Sequence, residues 1–425
     1  MHRLRLRLPS ILPSVLPSVL PSVLPVVLLI GLLLPASAPP AAAAEQPFAA
    51  WLADFRDRAE AEGIAPATLD RAFAAVQPIP RVIELDRRQP EFLLTFWRYL
   101  GNAVTPERIA QGQALLREHE VLLTQVERTY GVQARFLVAF WGLETNYGGN
   151  FGNFPVIDAL ATLAWDGRRR AFFEAQLLDA LRIVQAGDIE PARMEGSWAG
   201  AMGHLQFIPS TFIGHAVDGD GDGRRDIWGS LPDVFASAAS YLSSLGWQGD
   251  QTWGREVRLP EGFDYDLVSI ATLPETTKSL AEWSALGVRR ANGAPLPQVD
   301  IAGGLILPAG AEGPAFLVYE NYRHILSWNR SILYAVAVGH LADRLAGLPE
   351  LVAQPPAEER RLAVEEVKEI QRRLATLGFD VGEADGRVGP QTRNAIRAFQ
   401  TSAGLPTDAF ASPALLEELR RRSQG

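Results

Sequence analysis

The segment Val138–Tyr147, V-A-F-W-G-L-E-T-N-Y, constrains the fold most, because it puts an acidic side chain where a core must form. Leu137, Phe140, Trp141 and Glu144 fall on one stripe, since helix positions three and four apart share a face. Gly148 and Gly149 read as the stop. Glu144 therefore sits at the end of an apolar ridge and not on a solvated face. Burial disfavours the charged form of a carboxyl and raises its pKa, which is the state a general acid needs near neutral pH. The same helix also fits a core glutamate tied to a backbone amide or an arginine, because perturbed carboxylates occur in structural networks too.

A chain of 425 residues suggests two or three domains. Its 47% hydrophobic and 21% charged content is that of a globular protein. The net charge is −9 and no long basic block lies beyond the extreme N-terminus, so a nucleic-acid partner has no electrostatic footprint. The absence of cysteine excludes disulfides, thiolate metal sites, thiol nucleophiles and a lipid-modified N-terminus. None of His2, His119, His204, His215, His324 and His340 pairs at H-E-x-x-H spacing, which argues against a zinc peptidase.

Residues 1–44 read as an export signal: Arg3, Arg5 and Arg7, then an apolar region from Ile11 to Leu34, then small residues from Ala36 to Ala44. Pro13, Pro17, Pro21 and Pro25 would damage a stable membrane helix. The stretch is nonetheless long enough to span, so an uncleaved anchor stays open beside cleavage near Ala44. Helical patterning runs from Phe48 to Leu123, with Pro66 opening a second helix and Thr105-Pro106 a later one. Phe96 to Tyr99, F-W-R-Y, reads as core aromatics.

Beyond Glu144 a Gly-rich loop leads to helical segments that reach Gln185. The run Gly196–Phe212, G-S-W-A-G-A-M-G-H-L-Q-F-I-P-S-T-F, is a tightly turned backbone with Ser197 and Gln206 as polar members. It suits a ligand approaching the main chain, or simply a packed surface loop with a capping serine. Asp218, Asp220 and Asp222 then occupy positions 1, 3 and 5 of a calcium-type loop, with Gly223 at position 6 and Arg224 at position 7, where such loops use a carbonyl. Position 12 is Gly229 instead of Glu, with Asp226 and Asp233 as substitutes. A solvated acidic turn is the alternative. Pro232 opens a helix that carries Phe235, Tyr241 and Leu242. Residues 256–320 read as short strands around Val257, Leu305 and Ala315, interrupted by a helix near Ser279. Helix returns at Ser331 to Leu345. A Pro-rich linker precedes a helical tail, in which Val364, Val367, Gln371, Leu374 and Leu377 line one helix.

Residues from about 48 to 346 resemble the membrane-bound lytic transglycosylase B family of peptidoglycan-cleaving enzymes. The resemblance is carried by G-L-E-T-N-Y-G, D-A-L-A-T-L-A-W, G-S-W-A-G-A-M-G-x-x-Q-F-I-P-S, V-D-x-D-G-D-G-x-x-D-I-W and G-P-A-F-L-V-Y-E-N-Y-R-H-I-L-S-W-N-R-S, in that order. Residues 363–421 are similar to the small peptidoglycan-binding domain through I-Q-R-R-L-A-T-L-G-F and D-G-R-V-G-P-Q-T-R-N-A-I-R-A-F-Q. The resemblance implies a mainly α (α+β) chain: a lysozyme-like catalytic domain with an inserted small α/β region, then a small three-helix domain. The division is 1–44 signal peptide, 45–348 catalytic domain, 349–361 linker and 362–425 peptidoglycan-binding domain.

The resemblance also implies non-hydrolytic cleavage of the β-1,4 bond between N-acetylmuramic acid and N-acetylglucosamine, with Glu144 as acid and base. Tyr99, Ser197, Gln206, Tyr241, Asn329 and Tyr334 match cleft positions, and Trp328 stands where the family has Tyr. Family members often carry Tyr and Gly where His204 and Leu205 stand. Tyr99, Tyr241, Trp328 and Tyr334 are expected to offer flat faces to sugar rings. No cofactor serves the chemistry; a structural Ca2+ is expected on Asp218, Asp220, Asp222, Arg224, Asp226 and Asp233. The implied partner is peptidoglycan, in the periplasm, with unidentified wall-synthesis or division proteins as further candidates. A muramidase-type hydrolase of the same bond and a non-catalytic wall-binding protein are the competing readings.

Overall fold

The computed structural model describes residues 46–87, 94–269, 274–357 and 359–423. The export segment 1–44 lies outside the described residues.

The helix Ala134–Thr145 is more deeply set than a stripe implies. Phe136, Leu137, Val138, Ala139, Phe140, Trp141 and Gly142 are all buried, so every face of the helix meets protein. A helix that is apolar all round belongs inside a core. It packs on Ile332–Leu345, which is itself buried along most of its length, and on Pro106–Glu118, Glu120–Tyr130 and Leu231–Ser244. Close packing there depends on missing side chains. A Cβ on Gly112 would fall 2.3 Å from the Tyr147 hydroxyl and one on Gly142 2.8 Å from the Tyr147 ring, so both glycines make room for that tyrosine. Its hydroxyl donates to the Arg108 carbonyl at 2.8 Å.

The helix does not run to the glycines. It stops at Asn146 and Tyr147, with φ of 51° and 58°, before Gly148 at 82°. Asparagine tolerates the left-handed region because its short amide bonds locally. Three left-handed residues in succession turn the chain sharply just past Glu144.

Around this centre lie Phe48–Ala61, Pro66–Phe73, Pro80–Arg87, Phe96–Ala103, Val156–Asp166, Arg170–Ala186 and Pro209–His215. Thr105 caps its helix as the sequence suggests, accepting from Arg108 N at 3.2 Å with Pro106 next in the chain. A two-residue pair, β1 (Phe154–Pro155) with β2 (Glu195–Gly196), ties the loop after Glu144 to the loop of Ser197.

The inserted region is a sheet of β3 (Gly254–Arg258), β4 (Val268–Ser269), β5 (Lys278–Ser279), β6 (Arg289–Arg290), β7 (Ala302–Ile306) and β8 (Ala315–Val318). Its order is β4-β7-β8-β3-β6, with β5 also pairing β7; only β4–β7 is parallel. Successive strand residues face opposite ways. Leu305, Leu307, Ala315 and Leu317 accordingly enter a second core with Leu280 and Trp283, while Ile306, Phe316 and Val318 enter the main core. Ser279 and Glu282 make a capping box on Leu280–Ala285.

The helix Glu320–Trp328 is absent from the sequence reading, which carries a strand to Tyr319 and resumes helix only at Ser331. In the tail, Val364–Thr376, Pro390–Ala403 and Pro413–Arg422 enclose a third core of Ile370, Leu374, Ile396, Phe399, Leu415, Leu416 and Leu419. Val364 and Leu377, expected on the core face of the first of these helices, are 60% and 36% exposed at its two ends. Buried Gln371 gathers the D-G-R-V-G-P loop by donating to Asp385, the Arg387 carbonyl and Thr392, each at 3.1 Å.

Candidate active site

Glu144 is one residue from the end of its helix and half-buried. Two donors converge on the same oxygen. The Trp328 indole N–H reaches Oε1 at 2.9 Å and the Tyr334 hydroxyl donates to it as well. Oε2 accepts nothing from a described residue and is not among the sealed, unpartnered atoms, so it keeps access to the cleft. Burial pushes the Glu144 carboxyl up to about 7; the Tyr334 and Trp328 hydrogen bonds pull the other way without reversing it. A proton held near neutrality must sit on Oε2, because Oε1 faces two donors.

Among the described residues, no second carboxylate charge bears on Glu144. Two-carboxylate glycosidases place their pair about 5–5.5 Å apart when retaining and about 6.5–9.5 Å apart when inverting. Among the described residues, no such partner acts on Glu144.

Trp328 gathers aromatic rings beside Glu144. Trp328 stacks on Phe140 at 4.4 Å and meets Tyr241 at 5.3 Å and Phe207 at 5.2 Å. Tyr241 donates to the Ser327 carbonyl at 3.2 Å. Tyr99 lies close enough to feel the Glu144 charge; burial first, and that charge second, push its phenol up to about 12. Tyr334 departs from expectation. It is buried, so it offers no open face to a sugar; its hydroxyl is spent on Glu144, and burial holds that phenol neutral as a donor. Spacing does not signal that Trp328 also acts through its N–H, because a family tyrosine at that place suggests only a ring face.

Ser197, Gln206 and Asn329 build the surrounding loops. Ser197 Oγ accepts from Ala199 N at 3.3 Å and Ala201 N at 3.1 Å, which leaves its proton free to donate. Gln206 has φ of 49°. A non-glycine residue there is uncommon and is held by its surroundings: its Nε2 donates to the Phe151 and Gly203 carbonyls, both at 3.0 Å. Asn329 is exposed, with Oδ1 accepting from Ser331 N at 3.0 Å, at the start of the Tyr334 helix. His204 is structural. It accepts from the Trp141 indole at 2.7 Å, packs on Phe151, and burial lowers its pKa to about 4, so it stays neutral.

In the acidic loop, carboxylate oxygens of Asp218, Asp220 and Asp222 lie within 4.8 Å of one another. Gly221 and Gly223 take φ of 80° and 88°, which wraps the backbone around them. The Arg224 side chain pairs with Asp222 at 3.2 Å, which leaves its carbonyl as the group it can offer. Asp226 Oδ1 accepts from Trp228 N and Gly229 N. Asp233 is a correction to the sequence reading. It is buried, and its two oxygens accept from Gly219 N at 2.7 Å and Asp226 N at 2.6 Å, so it fastens the two ends of the loop instead of offering a ligand.

Residues 47–343 match the profile of the transglycosylase SLT domain. The chain belongs to that family. A peptidoglycan-binding domain profile matches residues 364–419. The membrane-bound lytic murein transglycosylase B of Escherichia coli (strain K12) is 32% identical over 255 residues, 59% of this chain and 67% of that one. SltB3 from Pseudomonas aeruginosa, solved in complex with NAG-anhNAM-pentapeptide, is 51% identical with a TM-score of 0.82, covering 88% of this chain and 100% of that one. The Escherichia coli lytic transglycosylase Slt35, solved in complex with calcium, is 27% identical with a TM-score of 0.58, covering 71% of this chain and 94% of that one. The mainly helical, lysozyme-like fold with a helical peptidoglycan-binding tail is thus that of the SLT family. The chain is an enzyme, a lytic transglycosylase acting on peptidoglycan.

Proposed function

We propose that Glu144 performs both proton transfers of a cleavage that consumes no water. Protonated on Oε2, it donates to the departing glycosidic oxygen between N-acetylmuramic acid and N-acetylglucosamine. The muramic acid acetamide oxygen supports the positive anomeric carbon, the substrate-assisted exception to the two-carboxylate rule. Ionised Glu144 then takes the proton of the 6-hydroxyl, whose oxygen bonds to C1. The sugar closes as a 1,6-anhydro ring and Glu144 ends protonated, as it began. Tyr334 and Trp328 support the ionised state between the two steps through Oε1. Tyr99, Tyr241 and the Trp328 ring line the glycan path; Ser197 and Asn329, each with an unspent donor, suit the acetamide.

One observation carries this reading: among the described residues no second carboxylate acts on Glu144, which favours a substrate that supplies its own nucleophile. Mass spectrometry of products from purified cell wall tests it. Anhydro-muramic ends are expected; reducing ends that take up labelled oxygen from water would make the enzyme a hydrolase.

Domain boundaries at 45–348, 349–361 and 362–425 fit the three cores and the Pro-rich stretch between the second and third. The charged and apolar start suits export to the periplasm, with peptidoglycan as the partner found there. A hard cation suits the cluster of Asp218, Asp220 and Asp222, with the Arg224 carbonyl and Asp226 completing an oxygen shell. Calcium would brace the loop that leads into the Tyr241 helix and would play no part in the proton transfers.

A further inference from the structure

The helix Phe96–Ala103 carries Tyr99 in its first turn, and its cap is unusual. Thr95 stands at the N-cap position, yet its side chain makes no capping bond and Oγ1 is buried without a partner. The next helix shows the ordinary arrangement, with Thr105 bonding Arg108 N. At Thr95 the place is taken from far along the chain. Glu359, in the stretch between the second and third cores, accepts from Trp97 N through Oε1 and from Arg98 N through Oε2, both at 3.1 Å. These are the N2 and N3 amides that an N-cap side chain normally serves, and a carboxylate there also meets the positive end of the helix dipole.

The stretch is fastened upstream too: Glu256 of β3 accepts from Val352 N at 2.7 Å and Ala353 N at 2.8 Å. Downstream, buried Asp408 of the tail accepts from Ala311 N at 2.7 Å. Each anchor is a carboxylate on main-chain amides, which needs a fixed backbone on both sides. The stretch is thus held at Val352–Ala353 and again at Glu359.

We propose that Glu359 is a positioning residue for the cleft: it completes the first turn of the Tyr99 helix and so sets where Tyr99 stands beside Glu144. This rests on the proposed use of Tyr99 in glycan binding. Losing an N-cap acceptor frays one turn without unfolding a domain.

The test uses the full-length chain and short soluble glycans of the wall repeat. Glu359→Ala should lower kcat/KM about fivefold, mainly through KM, with the global melting temperature and sedimentation with insoluble peptidoglycan unchanged. Glu256→Ala, which frees the stretch without touching the Tyr99 helix, should keep wild-type kcat/KM. Adding Thr95→Asp to Glu359→Ala, which rebuilds the cap locally, should recover most of the loss. Wild-type kcat/KM in Glu359→Ala would overturn the proposal. So would an equal loss in Glu256→Ala, which would assign the effect to docking in general, or a failure of Thr95→Asp to rescue in a folded protein. Glu144→Gln measured alongside separates the two readings, because its loss of turnover stands or falls independently of Glu359.

Discussion

Replacing Glu144 by Gln keeps shape and volume, and the amide oxygen can still accept from Trp328 and Tyr334. What disappears is an exchangeable proton of suitable acidity. General acid–base catalysis is worth about 10²–10⁴-fold. One group serves both transfers here, so the loss should reach or pass the upper end, about 5 kcal/mol of barrier at about 1.36 kcal/mol per decade. Stability should move the other way. The carboxyl rises from its ordinary 4.5 to about 7 on folding. Between those values the native chain holds a proton that the unfolded chain has released, so stability falls as pH rises through the window, and the full cost applies above it. At about 1.36 kcal/mol per unit this is about 3 kcal/mol, an upper figure because the amide loses some hydrogen-bond strength. Glu144→Gln should therefore melt a few degrees above wild type at pH 8 and level with it near pH 4. Anhydro-muropeptide release by mass spectrometry and melting curves at both pH values check this. Residual activity above about a tenth of wild type, inactivity that follows from unfolding, or the same Tm difference at both pH values would refute the reasoning.

Trp328→Phe keeps the stack on Phe140 and removes one donor from Oε1. The ionised acid loses support, so the alkaline limb of kcat/KM against pH should move up from about 7; an unmoved limb would show that the indole N–H does not bear on Glu144. Calcium at a hundredfold excess over Kd should stabilise the fold by about 2.7 kcal/mol if it binds the native state alone. Melting with calcium against chelator reads this, and Asp222→Asn should abolish the difference. Removing residues 362–425, a cut that keeps Glu359, should weaken sedimentation with insoluble peptidoglycan, since a tethered module raises local concentration without entering the chemistry. Turnover of short soluble glycans should survive it.

The main helices were legible because burial and periodicity agree: apolar spacing located Ala134–Thr145, Leu231–Ser244 and Ile332–Leu345, and proline and threonine marked starts at 66 and 105–106. Glu144 was legible for the same reason, as the one acidic residue closing an apolar run. The stop at Asn146 was not, since glycines two residues further on are the louder signal. Glu320–Trp328 is short and polar, and it hides between a strand and a motif. The partners of Glu144 could not be read locally: Trp328 and Tyr334 lie 184 and 190 residues away, and the side each presents is decided by packing. Asp233 reads as a ligand because charge and spacing do not reveal that two backbone amides claim its carboxylate first.

If, as among the described residues, no second carboxylate acts on Glu144, part of the active site lies on the wall itself. The acetamide and the 6-hydroxyl belong to the muramic acid residue, so a cell can make its glycan resistant without altering the protein. Removing the N-acetyl group would strip the anomeric carbon of its support, and esterifying the 6-hydroxyl would remove the nucleophile, while either strand could still occupy the cleft. Turnover would then be written along the polymer as a pattern of cuttable and uncuttable residues, and the length of the released fragments would report how the wall was decorated.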